Sequence, residues 1–178
     1  MKVIAIGGEP GSGKTTLVKN IMEQYQFEPK YDSFKLVPYL QSNNIYILGK
    51  YEEGEVFSGT DRMSMAVQPE AIKFLDFVPK DSIIIFEGDR LFTASFLEHC
   101  VDNYDTKIIY LATDKSVRQE RYKIRGSNQN ETWLQGRETK ISNILTNLTL
   151  LMNVEKFNNN NLQESDKVLN YIVELLGE

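Results

Sequence analysis

The strongest constraint on the chain is the segment KVIAIGGEPGSGKTTLVKNIMEQY at residues 2–25. Its centre, Gly8-Glu9-Pro10-Gly11-Ser12-Gly13-Lys14-Thr15, fits G-x-x-x-x-G-K-[ST]. Such a loop works only between a buried strand that fixes it and a helix whose N-terminus faces the ligand. Val3-Ile4-Ala5-Ile6 reads as the strand, a short β-branched run of the kind buried on both faces of a parallel sheet. Leu17, Val18, Ile21, Met22 and Tyr25 recur at helical spacing and form the buried stripe of the helix. Gly8, Gly11 and Gly13 let the backbone close on an anion, and the N–H groups running from Gly11 through Ser12 and Gly13 to Thr16 favour phosphate. Lys14 adds a full positive charge, and Thr15 offers a hydroxyl to a magnesium ion. The bland alternative is a glycine-rich turn that only joins strand to helix. A dinucleotide fingerprint is disfavoured, because Gly11 to Thr16 lacks the last glycine of G-x-G-x-x-G.

At 178 residues the chain has the size of one domain, so residues 1–178 must carry both a nucleotide site and whatever receives the phosphate. One cysteine, Cys100, excludes an intramolecular disulfide, and one histidine, His99, leaves no zinc cluster to assemble. The loop strand follows the first residue directly, and no apolar run approaches membrane-spanning length, so a cytoplasmic protein without a membrane partner is expected. A formal charge of −5, from 25 acidic and 20 basic residues, argues against broad attraction to a polyanion but leaves room for a local basic groove. Oligomeric state is not legible.

Apolar runs at 2–7, 45–49, 82–86, 107–112 and 153–157 read as strands, and amphipathic segments at 14–25, 70–77, 91–100, 115–125, 136–148 and 166–176 as helices. That alternation predicts an α/β architecture with a mostly parallel, five-stranded sheet and crossover helices on both faces. Residues 34–40 form a candidate hairpin arm that Pro38 keeps at an edge, and the run of asparagines at 158–161 reads as a turn into the last helix.

Three further stretches carry chemistry. Phe86-Glu87-Gly88-Asp89-Arg90 closes a strand at the sheet edge that holds the phosphate loop, which makes Glu87 the first choice to hold magnesium through its waters. Asp89 and Arg90 beside it are candidates to contact the acceptor; the alternative is that the two carboxylates merely cap a helix from Leu91. Asp61, after the second strand, is placed to take a proton from an acceptor hydroxyl, with Arg62 binding acceptor phosphate or steadying the transferring group. Capping of a helix from Arg62 is the competing role for Asp61. Arg118, Arg121 and Arg125, spaced i, i+3, i+7 with no matching acids nearby, present one basic face; this reads as a mobile phosphate-clamping lid over about 115–140, or as a solvated surface. Arg137 and Lys140 extend the positive surface, and Tyr51, among the rings at 31–57, is a candidate to stack an acceptor base, although aromatic residues are more often core.

Together the phosphate loop, the strand ending in Glu87-Gly88 and the arginine helix resemble the P-loop kinase superfamily. The stretches LGKY at 48–51, SGTDRMSMAVQP at 58–69 and FEGDRLF at 86–92 are similar to bacteriophage kinases that phosphorylate 5-hydroxymethyluracil within DNA. This resemblance implies a three-layer P-loop kinase fold with a helical lid, ATP with magnesium as donor, and a base hydroxymethyl group in DNA as acceptor. It carries Lys14 and Thr15 over as phosphate and magnesium residues, Asp61 as the base, and Arg118 and Arg121 as lid residues. A nucleoside or nucleotide kinase, and a non-catalytic nucleotide-dependent switch, are the competing readings.

Overall fold

The computed structural model describes every residue except Val56, Asn128 and Glu178. Val56 of the expected 51–58 loop and Asn128 of the expected lid therefore lie outside the described residues. The elements run in the order β1 (Lys2–Gly7), α1 (Lys14–Gln24), β2 (Glu28–Lys30), β3 (Tyr39–Ser42), β4 (Ile45–Leu48), α2 (Gln68–Phe77), β5 (Ile83–Glu87), α3 (Ala94–Asn103), β6 (Asp105–Ala112), α4 (Lys115–Arg125), α5 (Glu131–Leu145), β7 (Val154–Asn158) and α6 (Leu162–Leu176). A 3₁₀ turn, Thr60–Arg62, precedes α2.

These strands form one sheet in the order β2-β3-β4-β5-β1-β6-β7. The five runs expected as strands are its parallel part, β4 through β7 in that order, paired as β4 with β5, β5 with β1, β1 with β6 and β6 with β7. The sheet has seven strands rather than five, because β2 and β3 add an antiparallel extension beside β4. β3 covers only the end of the expected arm, and the edge belongs to β2, which carries Pro29, rather than to Pro38.

The strand faces alternate as the pleat requires. Ile4 and Ile6 meet Leu17, Val18 and Ile21 of α1 and Val168 and Ile172 of α6 on one side. On the other, Val3 and Ala5 join Ala71 and Phe74 of α2, Phe96 and Cys100 of α3, and Ile141 and Ile144 of α5. The result is the expected three-layer α/β arrangement. Helix starts differ from the apolar pattern because polar caps set them: Thr93 accepts from the Phe96 N–H, Asn130 from Trp133 and Asn161 from Glu164. Helices expected from 91, 136 and 166 thus begin at Ala94, Glu131 and Leu162. No helix among the described residues is long and apolar enough to cross a membrane.

Parallel strands bring the loops after β1, β4, β5, β6 and β7 to one carboxyl edge, where ligands of open α/β sheets bind. The β3–β4 extension is anchored to that frame by Phe74, which is fully buried with its ring 4.9 Å from Tyr39, 5.3 Å from Phe34 and 6.0 Å from Tyr46. Phe74→Ala should therefore cost about 3–5 kcal/mol in urea unfolding, the range for truncating a buried phenylalanine.

Candidate active site

The phosphate loop is fastened from outside by the loops that follow β6 and β7. Asn159, 4% exposed, donates its amide to the Ser12 carbonyl at 2.6 Å, while Thr113 donates to the Asn159 carbonyl at 3.2 Å. Gly13 has φ +92°, and a Cβ there would stand 2.6 Å from the Asn159 amide nitrogen, so only glycine allows this grip. Tyr110 donates to Glu9 at 2.9 Å and Tyr122 to the Pro10 carbonyl. These contacts hold the loop in one form, in which the Ser12 N–H, expected to face phosphate, donates to the Glu9 carbonyl at 3.1 Å. Lys14 folds back on the Gly8 and Glu9 carbonyls, at 2.9 and 3.2 Å.

Thr15, the next residue, donates to Glu87 at the end of β5 at 3.0 Å. Glu87 is 2% exposed, and burial pushes its carboxyl from 4.5 up to about 7, aided by Asp61 and Asp89 and opposed by Lys14 and Thr15. Gly59 makes room for it, since a Cβ at Gly59, with φ +70°, would lie 2.4 Å from Glu87 Oε1. Paired hydrogen bonds between Lys50 and Gly59, at 2.8 and 3.2 Å, close the intervening loop and set the Thr60–Arg62 turn against the end of β5. There Asp61 Oδ1 accepts from the Asp89 N–H at 2.6 Å. Burial and the neighbouring Asp89 raise the Asp61 carboxyl above the usual range, against the pull of that N–H and of Lys14.

Neither Glu87 nor Asp89 caps α3, whose cap is Thr93. Instead Asp89 pairs with Arg137 at 2.7 Å and lies 3.7 Å from Lys140, and Lys140 also donates to the Asp89 carbonyl at 2.8 Å. Arg62 pairs with Glu52, and Arg90 donates to the Met63 carbonyl at 3.3 Å. Tyr51 is buried with its hydroxyl under the influence of Glu87 and Asp61, so it presents no open face for stacking. The absence of acids near the arginine helix is corrected as well: Arg118 is 9% exposed and pairs with Glu138 of α5 at 3.1 Å. Arg121 donates to the Gly11 carbonyl at 2.9 Å and to the Asn159 carbonyl at 3.0 Å. Of the three arginines, Arg125 lines the cavity.

That cavity, about 870 Å³, joins the parts. Gly8, Gly11, Lys14, Thr15 and Thr16 form its floor, Asp61, Glu87 and Asp89 one wall, and Phe57, Tyr122, Arg125, Trp133 and Arg137 come from the flanking loop and the two helices above. Sequence reasoning passed over Asn159, Tyr110, Tyr122 and Trp133. The asparagine run gives no sign beyond a turn, but Trp133, the one tryptophan, three residues after a capping asparagine, was a readable signal.

The model of the family described as P-loop Nucleotide Kinase3 matches residues 1–156. The chain belongs to this P-loop kinase family. The kinase thereby has ATP-dependent phosphotransfer as its general activity. No curated protein matches its sequence. Among solved structures it is similar to a gluconokinase from Sinorhizobium meliloti 1021, at 13% identity and TM-score 0.54 over 98% of this chain and 95% of that one. A shikimate kinase from Bacteroides thetaiotaomicron is similar at 14% identity and TM-score 0.47, over 100% and 99%. The gluconokinase likeness shows the kinase fold.

The protonation of Glu87 has a measurable consequence. Between pH 4.5 and about 7 the folded kinase holds a proton on Glu87 that the unfolded chain has released, so stability should fall as pH rises through that window. The expected loss in metal-free protein is on the order of 3 kcal/mol, read by urea unfolding with chelator present. Glu87→Gln should flatten the slope in the same window.

Proposed function

We propose that this kinase transfers the γ-phosphate of ATP to a hydroxyl, that of 5-hydroxymethyluracil in DNA, with Asp61 as the base. The observation that carries the reading is that two of the three stretches similar to hydroxymethyluracil kinases, 58–69 and 86–92, line one wall of the cavity through Ser58, Asp61, Glu87 and Asp89, while the third, 48–51, packs against Gly59 of that wall. Gly49 packs on Gly59, Asp61 accepts from the Asp89 N–H, and Gln68 donates to the Arg90 carbonyl at 3.4 Å. The wall is acidic toward the cavity, and Arg62, Arg137 and Lys140 all have carboxylate neighbours. An acceptor phosphate would need free cations there, whereas an uncharged hydroxyl needs a proton acceptor. The family description, nucleotide kinase, favours as a second reading a free nucleoside or nucleoside monophosphate acceptor.

In the transfer, the acceptor oxygen forms a bond to the γ-phosphorus as the bond from that phosphorus to the bridging oxygen breaks, releasing ADP, while the acceptor's proton passes to Asp61. Asp61 Oδ1 is held by the Asp89 N–H, which aims the carboxylate, and its raised pKa makes it a better base than an ordinary aspartate. Lys14, released from the Gly8 and Glu9 carbonyls, meets the phosphate oxygens. The Thr15 hydroxyl and Glu87 carboxylate, oxygen donors 3.0 Å apart, fit a magnesium ion, which takes few protein ligands and keeps several waters. When bound, magnesium neutralises phosphate charge. α4 and α5 serve as the lid: Arg121 exchanges the Gly11 carbonyl for phosphate, and Arg118, fixed by Glu138, ties the two helices together. Arg90, hydrogen-bonded to the Met63 carbonyl, braces the wall from behind. A DNA base reaches such a site only from a single strand or when flipped out of a duplex.

Asp61→Asn tests the reading, since its carbonyl still accepts from the Asp89 N–H but no longer takes a proton. Turnover on hydroxymethylated DNA should fall by about 10² to 10⁴ with the KM for ATP little changed. Activity near the parent level would hand the base role to Asp89 or Glu87. Lys14→Ala should remove transfer while leaving the kinase folded, with a cooperative urea transition, because the ammonium meets loop carbonyls rather than the apolar core.

A further inference from the structure

Two aromatic side chains in the cavity have no role in the chemistry above. Phe57, in the loop closed by the Lys50–Gly59 pair, is 58% exposed and lines the same space as Lys14 and Asp61. Trp133, partly exposed in the first turn of α5, lines it too, with its backbone N–H fixed by the Asn130 cap at 2.8 Å. The Arg137 guanidinium lies 4.9 Å from the centroid of the indole ring. Arg137 in turn is bonded to Asp89 at 2.7 Å, and the Asp89 N–H holds Asp61. The indole is therefore joined to Asp61 through two intervening residues.

We infer that Trp133, backed by Arg137, and Phe57 form a stacking site for the planar base that carries the acceptor hydroxyl. The inference rests on the hydroxyl-acceptor reading above and extends it to the residues that hold the acceptor. A flat π face is the one feature a pyrimidine offers whatever its substituents, and stacking on an aromatic ring fixes the plane of the base. The ion pair from Arg137 to Asp89 then sets where that plane lies relative to Asp61. Arg137 also turns a positive charge toward the indole face, an attraction that steadies the ring. Phe57, left largely in solvent, gains an apolar partner when the base arrives.

Trp133 is the only tryptophan of the chain, so the intrinsic emission of the intact protein reports on it alone. A single-stranded oligonucleotide containing 5-hydroxymethyluracil, added with a non-hydrolysable ATP analogue and magnesium, should quench that emission beyond the effect of the analogue. In steady-state transfer, Trp133→Leu and Phe57→Ala should each raise the KM for the oligonucleotide roughly tenfold, leaving the KM for ATP within about twofold, and Trp133→Phe should restore most of the loss. Full quenching by the ATP analogue alone, with a raised KM for ATP in Trp133→Leu, would assign the ring to the donor base and overturn the inference. An unchanged oligonucleotide KM in both truncations would overturn it equally. Should free nucleosides prove to be the acceptors, with the same dependence on Trp133, the stacking site stands and the DNA reading falls.

Discussion

The hydrogen bond from Thr15 to Glu87 is the contact on which the rest of the site depends. It joins the first turn of α1 to the end of β5, so the phosphate loop and the wall of Asp61, Glu87 and Asp89 share a boundary. Burying a carboxylate at 2% exposure is costly, and the structure meets that cost with the Thr15 hydroxyl, the Lys14 charge and a rise of its pKa to about 7. Gly59 is tied to the same point, because any side chain there would strike Glu87. Placement of the Thr60–Arg62 turn, and with it Asp61, follows from that close approach.

A second set of contacts links the helices above the cavity to both halves of the site. Arg121 and Tyr122 of α4 hold carbonyls of the phosphate loop, while Arg137 and Lys140 of α5 hold Asp89. Arg118 and Glu138 join α4 to α5. One chain of contacts thus runs from the phosphate loop through α4 and α5 to Asp89 and, by its N–H, to Asp61.

The parallel strands and the phosphate loop were legible because each rests on local chemistry: β-branched runs, and glycines in register with Lys14 and Thr15. β3 was legible only in part, as the end of a hairpin arm, and β2 was not, since Glu28-Pro29-Lys30 carries no apolar signal and its strand character comes entirely from pairing with β3. Asp61, Glu87 and Asp89 could be placed at one sheet edge from topology. Their partners could not, because Arg137 lies 48 positions from Asp89 and Glu138 20 from Arg118, distances that only the packing of α5 closes. The asparagine run does turn β7 into α6 as expected, but the hold of Asn159 on Ser12 was not readable, because it depends on β7 lying beside β6.

The central claim is that the acceptor wall serves a hydroxyl on a DNA base. Its most direct test is transfer of labelled γ-phosphate from magnesium-ATP to single-stranded oligonucleotides containing 5-hydroxymethyluracil, compared with thymine oligonucleotides, free nucleosides and nucleoside monophosphates. The account predicts label on the hydroxymethylated oligonucleotide, as a phosphomonoester on the base, and none on its thymine counterpart. Label on nucleoside monophosphates, with none on the hydroxymethylated DNA, would contradict it.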